Sequence, residues 1–130
     1  MPEFRVLVID DERMLLRTLE CVFKVLGCEM VGAATLKDGL QKAVEQDFDC
    51  ILVDNHFPEG HSDAIIPSLV QHNPGTPLIM ITGNALDEHV ENALEMGVAE
   101  VLRKPFMLDQ LASTLDRHNS NFPGLAREVA

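Results

Sequence analysis

Short runs of consecutive apolar residues alternate with helically spaced apolar positions about five times along this chain. A strand apolar on both faces must be covered on both sides, so the alternation points to a parallel sheet flanked by helices. Val6-Leu7-Val8-Ile9 is the first such run and stops at Asp10-Asp11-Glu12. Leu15, Leu19, Val22 and Leu26 follow at helical spacing, with Gly27 placed to end the helix. A weaker strand spans about Met30 to Ala33, and Thr35 then caps a helix whose stripe is Leu36, Leu40, Ala43 and Val44.

Cys50-Ile51-Leu52-Val53 forms the third run and stops at Asp54. The segment from Asn55 to His61, with Pro58 and Gly60, reads as a loop. A helix from about Ser62 or Asp63 to Gln71 comes next, where Pro67 implies a kink or a late start. Leu78-Ile79-Met80-Ile81 runs into Thr82-Gly83-Asn84. The helix from about Asp87 to Met96 carries acids in its first turn and Gly97 at its end. Val101-Leu102-Arg103 is a short last strand before Lys104-Pro105, and Leu108, Leu111, Ala112 and Leu115 mark a final helix. The expected domain is therefore 1–118, with 119–130 as a polar tail or the start of a linker.

Composition narrows the functions available. Ten Lys and Arg against 21 Asp and Glu give a net charge of −11, and no run of basic residues exists, which argues against direct nucleic-acid binding. No charged leader or membrane-length apolar segment is present, so a cytoplasmic protein without membrane insertion is expected. Cys21, Cys28 and Cys50 suggest neither a disulfide framework nor a zinc site, and buried thiols are the expectation. A chain of 130 residues is expected to have little room for a separate output module.

Four of the five runs end in a polar side chain of a reactive type: Asp10 with Asp11, Asp54, Thr82 and Lys104. In an open α/β sheet, side chains at the carboxyl ends of the strands converge. Two carboxylates about 4 Å apart repel by roughly 4 kcal/mol at an effective dielectric near 20, so three of them require a cation. Hard oxygen ligands suit Mg2+ or Mn2+. Lys104 and Thr82 add an ammonium and a hydroxyl, together a clamp for a transferring phosphoryl group with Asp54 as its nucleophilic acceptor. Taken singly, the acids could open Asx turns, Thr82 could be a turn hydroxyl and Lys104 a surface charge.

The strings Val8-Ile9-Asp10-Asp11-Glu12, Leu52-Val53-Asp54 with Pro58 four residues on, Ile81-Thr82-Gly83 and Lys104-Pro105-Phe106 occur in order at strand ends. Together they resemble the receiver domain of two-component response regulators, over about Arg5 to His118. That resemblance implies a single-domain, flavodoxin-like, doubly wound α/β fold with five parallel strands in the order 2-1-3-4-5 and five flanking helices. It further implies that Asp54 takes a phosphoryl group from a sensor histidine kinase or histidine phosphotransfer protein. By the same resemblance Asp11 and Asp54 ligate Mg2+ directly, Asp10 acts mostly through water, and the backbone carbonyl of His56 completes the protein's share. Thr82 and Lys104 would contact the phosphoryl oxygens, and the Lys104-Pro105 bond would be cis. The chain would be a phosphoacceptor rather than an enzyme, signalling through protein partners as a monomer or weak homodimer.

Two positions depart from the family pattern. Val101 stands where the family usually has an aromatic ring that moves with the threonine. His56, two residues after Asp54, could control phosphoryl lifetime together with Asn84, or be a solvated loop residue whose carbonyl alone matters. Asp87, Glu88, Glu91 and Glu95 read as a docking stripe or, more simply, as a solvated helix face. Other readings stay open at this stage: an aspartate-nucleophile phosphohydrolase with His56 as general acid, or a receiver-like scaffold that works unphosphorylated. A dinucleotide-binding module is disfavoured because no GxGxxG follows the first run.

Overall fold

Val6, Leu7, Val8 and Ile9 are all fully buried, as a strand sandwiched between two helical layers must be. They belong to β1 (Phe4–Ile9), the centre of a sheet completed by β2 (Cys28–Ala33), β3 (Cys50–Asp54), β4 (Leu78–Thr82) and β5 (Glu100–Arg103). All neighbours are parallel and the order is β2-β1-β3-β4-β5. Strand order reverses between β1 and β3, where Val6 pairs with Cys50 and Ile9 with Val53. The structure is a computed structural model and describes residues 3–124.

Strand residues alternate between two cores. Val6, Val8, Leu52 and Ile81 point into one, with Leu19 and Phe23 of α1 (Arg13–Val25) and Leu111 and Leu115 of α5 (Leu108–His118). Leu7, Ile9, Val53 and Met80 point into the other, against α2 (Leu36–Glu45), α3 (Ile66–His72) and α4 (Glu88–Met96). The five helices thus divide between the faces, and the doubly wound architecture is the expected one. Among the described residues no helix is long and apolar enough to cross a membrane.

Local chemistry explains the helix ends. Thr35 Oγ1 accepts from Asp38 N at 3.0 Å and starts α2, while Asp87 Oδ1 accepts from His89 N at 2.8 Å and starts α4. Gly97, at φ +124°, turns the chain out of α4 in a conformation that side chains disfavour. Pro67 lies in the first turn of α3, where its missing N–H costs nothing, so the helix starts late, after a 3-10 turn at Ser62–Ala64. Gly39 lets α2 approach the sheet: a Cβ there would sit 2.7 Å from Ile9 Cδ1 and Cγ2.

Several expectations need correction. Asn55 to His61 is not merely a loop, because His56–Phe57 pairs antiparallel with Gly60–His61, and buried Phe57 anchors this hairpin. Val44 is exposed, since Leu36, Gly39 and Ala43 form the inward line of α2 and Val44 lies a further step around the helix. Cys28 and Cys50 are buried, but Cys21 faces solvent on α1. Burial pushes the Cys50 thiol up to about 12, which keeps it protonated and inert. After α5 the chain stays on the body of the fold. Asn119 Nδ2 donates to Asp49 O at 3.0 Å, and fully buried Phe122 packs edge-on to Phe4 with centroids 5.3 Å apart. The rest of the expected tail, 125–130, lies outside the described residues.

Candidate functional site

The strand register carries four chain segments to one edge of the sheet. Asp10 follows β1, where its N–H donates to Ala33 O of β2 at 2.9 Å and holds the backbone in line with the strand. Its side chain is 0% exposed: Oδ1 accepts from Glu12 N at 2.8 Å, and Oδ2 lies 2.8 Å from Lys104 Nζ. Asp54 is the last residue of β3 and is 8% exposed, with Oδ1 accepting from Asn55 N at 2.8 Å. Its Oδ2 lies 3.4 Å from Lys104 Nζ. Asp11 stands exposed at the mouth of the cleft, and one oxygen each of Asp10, Asp11 and Asp54 lie within 4.8 Å of one another.

Thr82 ends β4 and is buried. Its hydroxyl accepts from Asn84 N at 3.1 Å and lies 3.3 Å from Asn84 O. The chain after β5 is tied to it, since Lys104 N donates to Thr82 O at 2.7 Å. The Lys104-Pro105 bond is cis. Around the cleft, a cavity of about 450 Å³ is lined by Asp11, Asp54, Asn55, His56, Thr82 and Asp87, among others.

The electrostatics are unbalanced. Lys104 also reaches Glu12 Oε1 at 3.2 Å, so one ammonium faces the carboxylates of Asp10, Glu12 and Asp54, with Asp11 alongside. Burial raises the pKa of Asp10, and its contacts with Lys104 offset this only in part. Burial also raises Asp54, reinforced by the charge of Asp10. Burial disfavours the Lys104 charge, but its close contact with Asp10 and the charges of Asp10 and Asp54 outweigh that and hold its pKa above the ordinary value. Buried Asp10 Oδ2 accepts no oriented hydrogen bond among the described residues, its contact with Lys104 being that of an ion pair. An all-oxygen donor set with surplus negative charge and such an atom suits a hard divalent cation.

Asp10, Asp11, Asp54, Thr82 and Lys104 therefore come together at one edge, and His56 borders them with its side chain exposed. Of these carboxylates Lys104 lies nearest to Asp10, at 2.8 Å, with Asp54 at 3.4 Å. Val101 packs half-buried against the core on the α4 side of the sheet, and no ring occupies its place. Three further participants escaped the sequence pattern: Glu12 on Lys104, the buried amide of Asn55, and Asp87 on the cavity wall. For Glu12 and Asn55 the available signal was adjacency to Asp11 and Asp54. For Asp87 it was only the helix-capping position.

Solved proteins share this fold. A solved response regulator receiver domain protein from Methanospirillum hungatei superposes with a TM-score of 0.82 at 26% identity, covering 90% of this chain and 97% of that one. A Burkholderia pseudomallei response regulator, solved with a phosphorylated aspartic acid, calcium ion and citrate, matches with a TM-score of 0.80 at 25% identity, covering 97% of this chain and 72% of that one. The beryllofluoride-activated NtrC4 receiver domain, solved as a dimer, gives a TM-score of 0.81 at 28% identity, covering 91% of this chain and 98% of that one. Among curated proteins, the regulatory protein AtoC of Escherichia coli is 30% identical over 113 residues, 87% of this chain and 24% of AtoC. Transcription factor SKN7 of Candida albicans is 24% identical over 117 residues, 90% of this chain and 21% of SKN7. The chain thus spans only about a quarter or less of these two curated relatives. The response regulator receiver domain model matches residues 6–116, and with the five-stranded order and acidic edge already in place this chain belongs to the receiver domains of two-component signalling, which are not conventional enzymes.

Proposed function

We propose that Asp54 accepts a phosphoryl group from a phosphohistidine of a sensor histidine kinase or histidine phosphotransfer protein. The observation that carries this reading is a nearly buried carboxylate at a strand end, flanked by two other carboxylates and within 3.4 Å of a single ammonium. An Asp54 oxygen attacks phosphorus, the phosphorus–nitrogen bond breaks, and the imidazole leaves with the bonding pair. Asp11 and Asp54, with the backbone carbonyl of His56, would hold Mg2+ or Mn2+ directly, and Asp10 would do so mostly through water. When bound, such an ion neutralises charge on the acceptor and on the phosphoryl oxygens.

The chain's own residues supply position and charge. Lys104, resting on Asp10 and already near Asp54, needs only a small movement to pair with a phosphoryl oxygen. Thr82, whose hydroxyl rests on the Asn84 backbone, turns to donate to another. The Asn55 N–H holds Asp54 Oδ1, which leaves Oδ2 as the attacking atom. We assign the receiver to 1–118 with the packed segment through Gly124, working in the cytoplasm as a monomer or weak homodimer that signals through protein contacts.

Incubation with acetyl phosphate and Mg2+, followed by intact-mass and peptide analysis, tests the reading. One phosphoryl mass on Asp54, absent in Asp54→Asn and absent with EDTA, is expected. Failure to gain that mass, or its appearance at another residue, overturns the proposal.

A further inference from the structure

Beside the phosphoacceptor lies a second group of ligating side chains with different chemistry. His61 closes the hairpin after β3, Asp63 sits in the 3-10 turn, and Asp87 and His89 begin α4. One ligand atom each of His61, Asp87 and His89 lie within 4.8 Å of one another. The His61 and His89 rings stack with centroids 3.6 Å apart and planes 10° from parallel. Asp63 Oδ2 lies 2.6 Å from His89 Nδ1, and Asp87 Oδ2 lies 3.9 Å from His61 Nε2.

We infer that His61, Asp87 and His89 form a separate site for a borderline divalent transition metal of the Zn2+ class, with Asp63 as the carboxylate behind His89. Two imidazoles with a carboxylate select Zn2+, Ni2+ or Cu2+ over Mg2+, whereas the all-oxygen edge at Asp54 makes the opposite choice. The Asp63 contact engages Nδ1 of His89, leaving Nε2 to bind metal, and such a carboxylate partner orients the ring and strengthens it as a ligand. The carboxylate of Asp87 is already fixed, because its Oδ1 accepts from His89 N at 2.8 Å. Stacked rings direct their lone pairs along parallel planes, so one imidazole must turn about its Cβ–Cγ bond to reach a shared ion. Asp63 holds His89, so the ring that turns is His61, whose side chain is 29% exposed. Three protein ligands leave a fourth position for water.

The placement gives the site a consequence. It joins the segment leading away from Asp54 to the first turn of α4, and Asp87 also lines the Asp54 cavity. An ion here would cross-link the segment after β3 to the start of α4.

Titration of the purified chain with Zn2+ against a chromophoric chelator, with Mg2+ in excess, tests the assignment without using phosphorylation. One Zn2+ per chain is expected for the wild type, and likewise for Asp54→Asn and for His72→Ala, which removes an exposed histidine elsewhere. Affinity should fall at least about tenfold in His61→Ala and in His89→Ala, and by about tenfold in Asp63→Asn. Circular dichroism establishes that each variant is folded, and Co2+ in place of Zn2+ should give visible absorption bands that His61→Ala and His89→Ala abolish. Absence of stoichiometric Zn2+ binding by the wild type overturns the site. So does an affinity unchanged within about twofold in folded His61→Ala and His89→Ala, or one lost in Asp54→Asn, which would put the ion at the acidic edge.

Discussion

Replacing Asp54 by Asn removes one charge from an edge that carries more negative charge than it balances. At an effective dielectric near 20, the attraction to Lys104 at 3.4 Å is worth about 5 kcal/mol. Against it, Asp10 and Asp11 present oxygens within 4.8 Å, each repelling by roughly 3 kcal/mol or more. The exposure of Asp11 screens its share. Desolvation of the nearly buried carboxylate adds to the unfavourable side. Metal-free Asp54→Asn should therefore be more stable than the wild type by about 1–2 kcal/mol, or several degrees in Tm. The pH dependence has a definite sign. A folded-state pKa raised above the unfolded value makes ionisation destabilising, so the wild type loses stability as pH rises through the raised pKa of Asp54. The advantage of Asn is then present at neutral pH and disappears in acid, where Asp54 is protonated. Urea unfolding in EDTA across pH measures this, and repeating it with Mg2+ at about a hundredfold excess over Kd should add about 2.7 kcal/mol to the wild type and much less to the variant. Destabilisation of metal-free Asp54→Asn by more than about 1 kcal/mol at neutral pH would refute the reasoning, because Lys104 would then outweigh the repulsion.

Gly39→Ala should destabilise by about 1–3 kcal/mol by urea unfolding despite alanine's better helix propensity, because the new Cβ meets Ile9 at 2.7 Å. Phe122→Ala should cost about 3–5 kcal/mol in the same assay, and truncation after His118 a similar amount, since both vacate the pocket against Phe4. His56→Ala should change the rate at which phosphorylated protein loses its phosphoryl group without abolishing uptake. Equal decay by mass spectrometry would leave His56 a role through its carbonyl alone.

The strand runs and most helix stripes were legible because burial on both faces, or on one helical face, imprints a local period on the chain. Thr35, Asp87 and Gly97 were legible as helix ends for the same reason, their caps being satisfied within a few residues. Val44 misled, since an apolar residue beside a buried stripe looks the same whether it points in or out. Phe122 misled in the opposite direction, one ring within a polar stretch.

Sequence alone determined the parallel α/β class and that Asp10, Asp11, Asp54, Thr82 and Lys104 would meet, because each lies at or just after the carboxyl end of a strand and those ends converge at one edge. Tertiary structure decided how those groups pair. Lys104 rests on Asp10 and Glu12 as well as Asp54, a choice made by the geometry of segments up to 94 residues apart rather than by residue type. It also brought His61 onto His89, residues whose local surroundings carry no trace of each other. A periodic pattern is written by interactions within a few residues, whereas ion pairing and ring stacking at long range depend on distances that exist only once the sheet has closed and both helical layers have packed.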